Sequence, residues 1–153
     1  MQVFNSQAEL LAFVGRAARS PESLIEQALV DSFAEITGDR QWIHTDPQRA
    51  ERESTYGGTI AHAMLTLSLL PKLYAQTFEF RNRSFGLNYG FDKVRIPSAL
   101  RCGQLISAAF LLVAAEPQQG GVRCTWDVTV TASGAARPAI VARWLTLNQY
   151  QSA

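Results

Sequence analysis

Cysteine is scarce in this chain, and its placement excludes two kinds of architecture. The two cysteines, Cys102 and Cys124, are too few for a disulfide framework and lack the paired spacing of a zinc ribbon. Both read as free thiols of a reducing compartment. An excess of one charge is missing too. A net charge of +1 at pH 7 provides no electrostatic footprint for nucleic acid or an anionic membrane. No apolar run reaches the roughly 18–20 residues that a membrane span needs. The opening MQVFNSQAELL carries no basic leader ahead of an apolar stretch, so no secretory signal is expected. The expectation is a soluble cytoplasmic protein with neither a nucleic-acid nor a membrane partner.

What is present is ordinary globular composition, 47% hydrophobic and 18% charged over 153 residues. That length suits one domain, residues 1–153, burying roughly two-thirds of the surface its unfolded chain exposes. Ser6 begins a short helix, with Glu9 three residues on as its capping-box partner. Arg16 to Pro21 breaks that helix, and Leu24-Ile25 fits a short strand. Leu29, Val30, Phe33 and Ile36 recur at helical spacing up to a glycine stop at Gly38. Asp39 to Thr45 is a loop, and Asp46-Pro47 restarts a helix with an N-cap and a first-turn proline. Ile60 to about Leu70 is apolar nearly all round, a helix buried on most sides, which Pro71 kinks without ending. The remainder reads as strands: Ser84 to Arg95, Leu105 to Ala115, Val122 to Ala132 and Ala139 to Leu147. Along the third, Val122, Cys124, Trp126, Val128 and Val130 alternate with polar residues. Strands joined by short turns favour an antiparallel sheet, and helices followed by strands give an α+β fold.

The chemistry concentrates between Phe33 and Leu70, which holds both histidines, His44 and His62. Asp39 and His44 share one short loop, where a carboxylate can orient an imidazole and both can hold one water. The same spacing also fits a helix-end carboxylate beside a surface imidazole. Gly57-Gly58 precedes the apolar helix, whose first-turn N–H groups favour an anion. A loop needing positive φ explains the glycines as well. His62, among apolar residues, reads as a hydrogen-bonded structural histidine.

The string T-G-D-x-Q-x-I-H-x-D-P, followed by G-G-x-I-A-H-A-M-L-T-L-S-L-L, resembles the signature of the MaoC-like (R)-specific enoyl-CoA hydratases. Within that family it is most similar to the nodulation-protein-N-like branch, as is the segment LNYGFDKVRIPSALRCGQ. The similarity runs from about Phe33 to Leu147. It implies a hot-dog fold, an antiparallel sheet wrapped around a long central helix, and a homodimer that takes an acyl-CoA thioester. It implies that Asp39 and His44 hold and activate water, and that the Ala63 N–H receives the thioester carbonyl. Two departures stand out. Ala63 replaces the usual glycine and narrows the pocket. Gln41 and Trp42 replace asparagine and proline, so that Gln41 supplies the amide and Trp42 reshapes the acyl pocket.

The implied activity is that of a hydro-lyase adding water across a trans-2-enoyl thioester, with Asp39, His44 and Ala63 catalytic. Gln41, Trp42 and Gly58 belong with the substrate site. No metal or redox cofactor is called for, because the substrate carries its own coenzyme. A hot-dog thioesterase and a non-catalytic acyl-thioester-binding protein are the alternatives. Lys93 and Arg95 flank Val94 with period two, so both fall on one strand face and can meet CoA phosphates. A plain solvated strand face fits them too.

Overall fold

A computed structural model describes residues 1–150. The chain opens with β1 (Gln2–Phe4) and α1 (Gln7–Leu11). The Ser6 hydroxyl caps α1 by accepting from the Glu9 N–H at 3.3 Å. The return half of the box closes one residue early, because the Glu9 carboxylate accepts from the Asn5 N–H at 2.8 Å. Next come β2 (Ala17–Arg19) and β3 (Ser23–Leu24), then α2 (Gln27–Thr37). Gly38 ends α2 in the left-handed conformation, φ 78°, donating its N–H to Ala34. Inside the segment expected to be loop, the chain forms α3 (Trp42–Thr45), followed by α4 (Pro47–Glu53). As the sequence indicates, Asp46 caps α4, accepting from the Arg49 N–H at 3.0 Å.

The central helix begins later than its hydrophobicity suggests and is divided into α5 (Ala63–Ser68) and α6 (Leu70–Thr77). Ile60 and Ala61 are apolar enough for helix, but the backbone groups here are claimed elsewhere. The Ala61 N–H donates to Leu100 at 2.8 Å, and Thr59 accepts from Cys102 at 2.9 Å. An isolated bridge thus pairs Ile60 with Arg101 and keeps this stretch extended. The division at Leu69 follows from Pro71, which has no N–H to donate back into the preceding turn.

After α6 come β4 (Phe78–Phe80), β5 (Arg83–Arg95), β6 (Leu105–Gln118), β7 (Gly121–Ala132) and β8 (Ile140–Tyr150). The main sheet runs β2-β6-β7-β8-β5, with β3 also on β6, and every pairing is antiparallel. A separate short parallel pair joins β1 to β4. The alternation read in β7 is realised: Val122, Cys124, Trp126, Val128 and Val130 are buried. The sheet's inner face closes on the helices through aromatic rings. Tyr74 stands edge-on to Trp126 at 5.3 Å and to Trp144 at 5.2 Å, and Phe78 lies 5.0 Å from Trp126. Such pairs each contribute about 0.5–1.5 kcal/mol beyond their buried area. A curved antiparallel sheet around a central helical segment is the hot-dog fold. Among the described residues no helix is long and apolar enough to cross a membrane.

Candidate active site

The glycine stop of α2 delivers Asp39 directly to the mouth of the α2–α3 turn. The single turn of α3 then carries His44 inward, where it is buried. Its Nδ1 lies 2.7 Å from the Ile60 carbonyl oxygen. A carbonyl can only accept, so Nδ1 bears a proton, and Nε2 has no hydrogen-bond partner among the described residues. That carbonyl is available because residues 59–61 are extended instead of helical.

His62 is the residue whose part the sequence understated. It is a hydrogen-bonded buried histidine, as expected, but its bond is to the site itself. Nε2 donates to the Asp39 backbone carbonyl at 2.9 Å, and its ring stacks on His44 with centroids 3.8 Å apart. Nδ1 is buried without a partner. One side chain therefore touches both members of the Asp39–His44 pair, and its backbone opens the helix that carries Ala63. Nothing in the local sequence distinguishes this from an ordinary core histidine; the signal was the coincidence of both histidines on one motif.

The Asp39 carboxylate is partly exposed. Oδ1 accepts from the Gln41 side-chain amide at 3.0 Å, and Oδ2 lies 3.9 Å from His62 Nε2. The Gln41 hydrogen bond holds the carboxyl below its ordinary range, against the opposing effect of desolvation; the two imidazoles add in the same direction as Gln41. The polar atoms of Asp39, His44 and His62 all fall within 4.8 Å of one another. The sequence showed no such three-residue donor cluster. Its geometry is nonetheless unlike a metal centre, which needs lone pairs converging on one point about 2.0–2.1 Å from each nitrogen. Rings stacked with only 26° between their planes aim their lone pairs side by side.

Beside the pair lies a cavity of about 720 Å³ whose walls include His44, Ala61, Ala63, Thr66, Leu100 and Ile140. Ala63 is the first residue of α5, and no side chain caps that end. Among the described residues its N–H has no acceptor, and Ala63 is one of the residues lining the cavity. His44 and Ala63 are thus brought to one cavity, with Asp39 held behind them through His62 and Gln41.

The other residues singled out from sequence fall elsewhere. Trp42 does not line this cavity: its ring lies under the Arg49 guanidinium, 4.4 Å away, on the outer side of α3. Gly58 does not open a helix, because the extended bridge delays α5 to Ala63. Lys93 lines a different cleft, of about 460 Å³, with Asp127 and Arg143. Arg95 donates to the carbonyl of its own neighbour Val94 at 2.9 Å. Neither Lys93 nor Arg95 is among the residues lining the His44 cavity, although the chain enters its wall at Ile96, directly after β5.

Comparison with known proteins agrees with the motif. Residues 12–134 match the MaoC-like domain family. A protein of Mycobacterium tuberculosis named 3-hydroxyacyl-thioester dehydratase Z is 41% identical over 144 residues, covering 93% of this chain and 95% of the relative. Nodulation protein N of Rhizobium meliloti is 39% identical over 128 residues, covering 82% of this chain and 80% of the relative. Among solved structures, the (R)-hydratase from A. caviae superposes with a TM-score of 0.71 at 21% identity, covering 87% of this chain and 94% of that one.

Proposed function

This chain belongs to the MaoC-like domain family, and from that premise we propose that it is a hydro-lyase acting on trans-2-enoyl thioesters. Water adds reversibly to give the (R)-3-hydroxyacyl thioester. The observation carrying this reading is the convergence of the His44 ring and the free Ala63 N–H on one cavity, with Asp39 tethered to the same pair of imidazoles.

The thioester makes its β-carbon electrophilic. Water held between His44 Nε2 and the Asp39 carboxylate adds its oxygen there, and a proton reaches the α-carbon. The thioester oxygen gains negative charge on the way, and the Ala63 N–H at the start of α5 stabilises it. We do not divide acid and base between Asp39 and His44, because a coupled pair titrates as a unit. The reaction is a net addition of water without oxidation or reduction, so it needs no redox cofactor. Gln41 acts through its hydrogen bond to Asp39. Coenzyme A is the carrier proposed, in the cytoplasm, where Cys102 and Cys124 stay reduced.

The working unit is a homodimer. In support, among the described residues β5 pairs only with β8, and it exposes Phe85, Leu87, Tyr89 and Phe91. So much aromatic surface along one open edge invites pairing with a second copy. Light scattering is expected to give twice the chain mass of 16.9 kDa; a monomer at micromolar concentration counts against the dimer.

Incubating the purified protein with crotonyl-CoA tests the reaction class. Loss of enoyl absorbance without release of free thiol is the expected outcome. Thiol release instead identifies hydrolysis of the thioester.

A further inference from the structure

One permanently charged side chain lines the cavity that holds His44 and Ala63, and the proposed reaction makes no use of it. Arg101 is the only guanidinium, ammonium or carboxylate among the lining residues, which include the apolar Ile60, Leu100 and Ile140 and the polar Thr66, Ser98 and Gln104. Among the described residues no carboxylate pairs with it.

Its position is fixed by the backbone on both sides. Residues 100–102 are stitched to 59–61 by the Ala61–Leu100 and Cys102–Thr59 bonds, and the Arg101 N–H donates to Gln104 Oε1 at 2.8 Å. The side chain then lies against the glycine loop. Nη2 donates to the Gly57 carbonyl at 2.7 Å, and a Cβ on Gly58 would stand 3.2 Å from that same nitrogen. Gly58 also has φ +155°, a conformation other residues rarely adopt. The second glycine thus has a role after all: it lets the guanidinium lie close to the loop. A guanidinium has five N–H donors in a planar fork. One is spent on Gly57, and the rest have no carboxylate to meet.

An exposed guanidinium at the wall of this cavity, bonded to a carbonyl and paired with no carboxylate, is suited to a planar or tetrahedral anion. We propose that Arg101, and not Lys93 or Arg95, is the anion-recognition residue of this site. Its ligand is an anionic group of the bound thioester, either a phosphate of the carrier or a carboxylate at the far end of the acyl chain. The inference rests on the thioester part of the proposed function but not on hydration itself.

Saturated thioesters, which have no double bond to hydrate, keep the test independent of turnover. Calorimetry would compare butyryl-CoA, butyryl-pantetheine and glutaryl-CoA on the wild type, Arg101→Gln and Arg101→Lys. If the anion is a carrier phosphate, Arg101→Gln weakens butyryl-CoA by about 10- to 100-fold and leaves butyryl-pantetheine unchanged. If it is an acyl carboxylate, the variant loses the same factor for glutaryl-CoA and nothing for butyryl-CoA. In either case Arg101→Lys, which keeps charge without the fork, falls between wild type and Gln. An equal loss for all three ligands assigns Arg101 to holding the Gly57 loop alone and overturns the proposal. So does no loss for any, or a wild type that binds none of them. A wild type that binds but never hydrates crotonyl-CoA overturns the reaction class and leaves Arg101 in its role.

Discussion

Replacing His62 with phenylalanine separates its shape from its hydrogen bond. Phenylalanine keeps a ring against His44 and against Phe33, whose ring centroid is 5.2 Å from that of His62. It removes the Nε2–H that donates to the Asp39 carbonyl at 2.9 Å. A hydrogen bond of this kind contributes about 1 kcal/mol net, and leaving its buried partner unsatisfied costs up to about 3 kcal/mol. The substitution also eliminates the buried, unpartnered Nδ1, which offsets part of that loss. The expected destabilisation is therefore about 1–2 kcal/mol. For a chain of this size that is a fall in Tm of roughly 2–8 °C. The catalytic effect should be larger than the stability effect. Asp39 loses the bond that fixes its backbone, and a misplacement of about 1 Å at a reacting group can cost on the order of 100-fold. Thermal melts and enoyl-thioester hydration rates on His62→Phe measure the two effects together, with His62→Gln expected to recover part of both. A melting loss with full turnover would reduce His62 to a core residue. Unchanged stability together with unchanged turnover would refute the tether entirely.

Two further outcomes follow from the titrating groups. Gln41→Leu removes the amide that holds the Asp39 carboxyl below its ordinary range, so the proton binds at higher pH. The acid limb of the pH–rate profile should move upward in that variant, and an unmoved limb would detach Asp39 ionisation from the rate. Burial pushes the Cys124 thiol up to about 12, and Cys102 is raised as well, by partial burial. Thiol reagents near neutral pH should therefore label Cys102 slowly and Cys124 only after unfolding. A folded value above the unfolded one means stability that is complete below the ordinary thiol range. It is lost as pH rises towards about 12, at about 1.4 kcal/mol per pH unit for this group. Denaturant midpoints measured across alkaline pH, with Cys124→Ala as the reference, check that slope.

The parts of the molecule legible in sequence are those whose cause is local. Period-two alternation in β7 needs only one face buried, and every inward position from Val122 to Val130 obeys it. The glycine stop at Gly38 and the Asp46 cap are likewise short-range devices. What escaped was set at a distance. Hydrophobicity begins at Ile60, but the helix waits until Ala63 because residues 100–102 claim the intervening backbone. β1 and β2 are three residues each, too short for a period to show, and exist only because β4 and β6 receive them. The site divides in the same way. Asp39 and His44 are marked by spacing within one motif, whereas the stacking of His62 on His44 is a contact between α3 and the start of α5. Lys93 and Arg95 show the converse: period two places them on one strand face but says nothing about what that face meets. Arg101, inside the LNYGFDKVRIPSALRCGQ segment but marked by no spacing of its own, lines the cavity.

The central claim is that Asp39 and His44 together deliver water to an enoyl thioester. Hydration of crotonyl-CoA by Asp39→Asn and by His44→Ala tests it most directly, with circular dichroism to show that each variant is folded. General acid–base groups contribute about 10²–10⁴-fold, and each substitution should lower kcat/KM by that order. In the proposed mechanism the two side chains act on the same water, so the double variant should be little worse than the slower single one. A folded single variant that keeps near wild-type turnover would contradict the account.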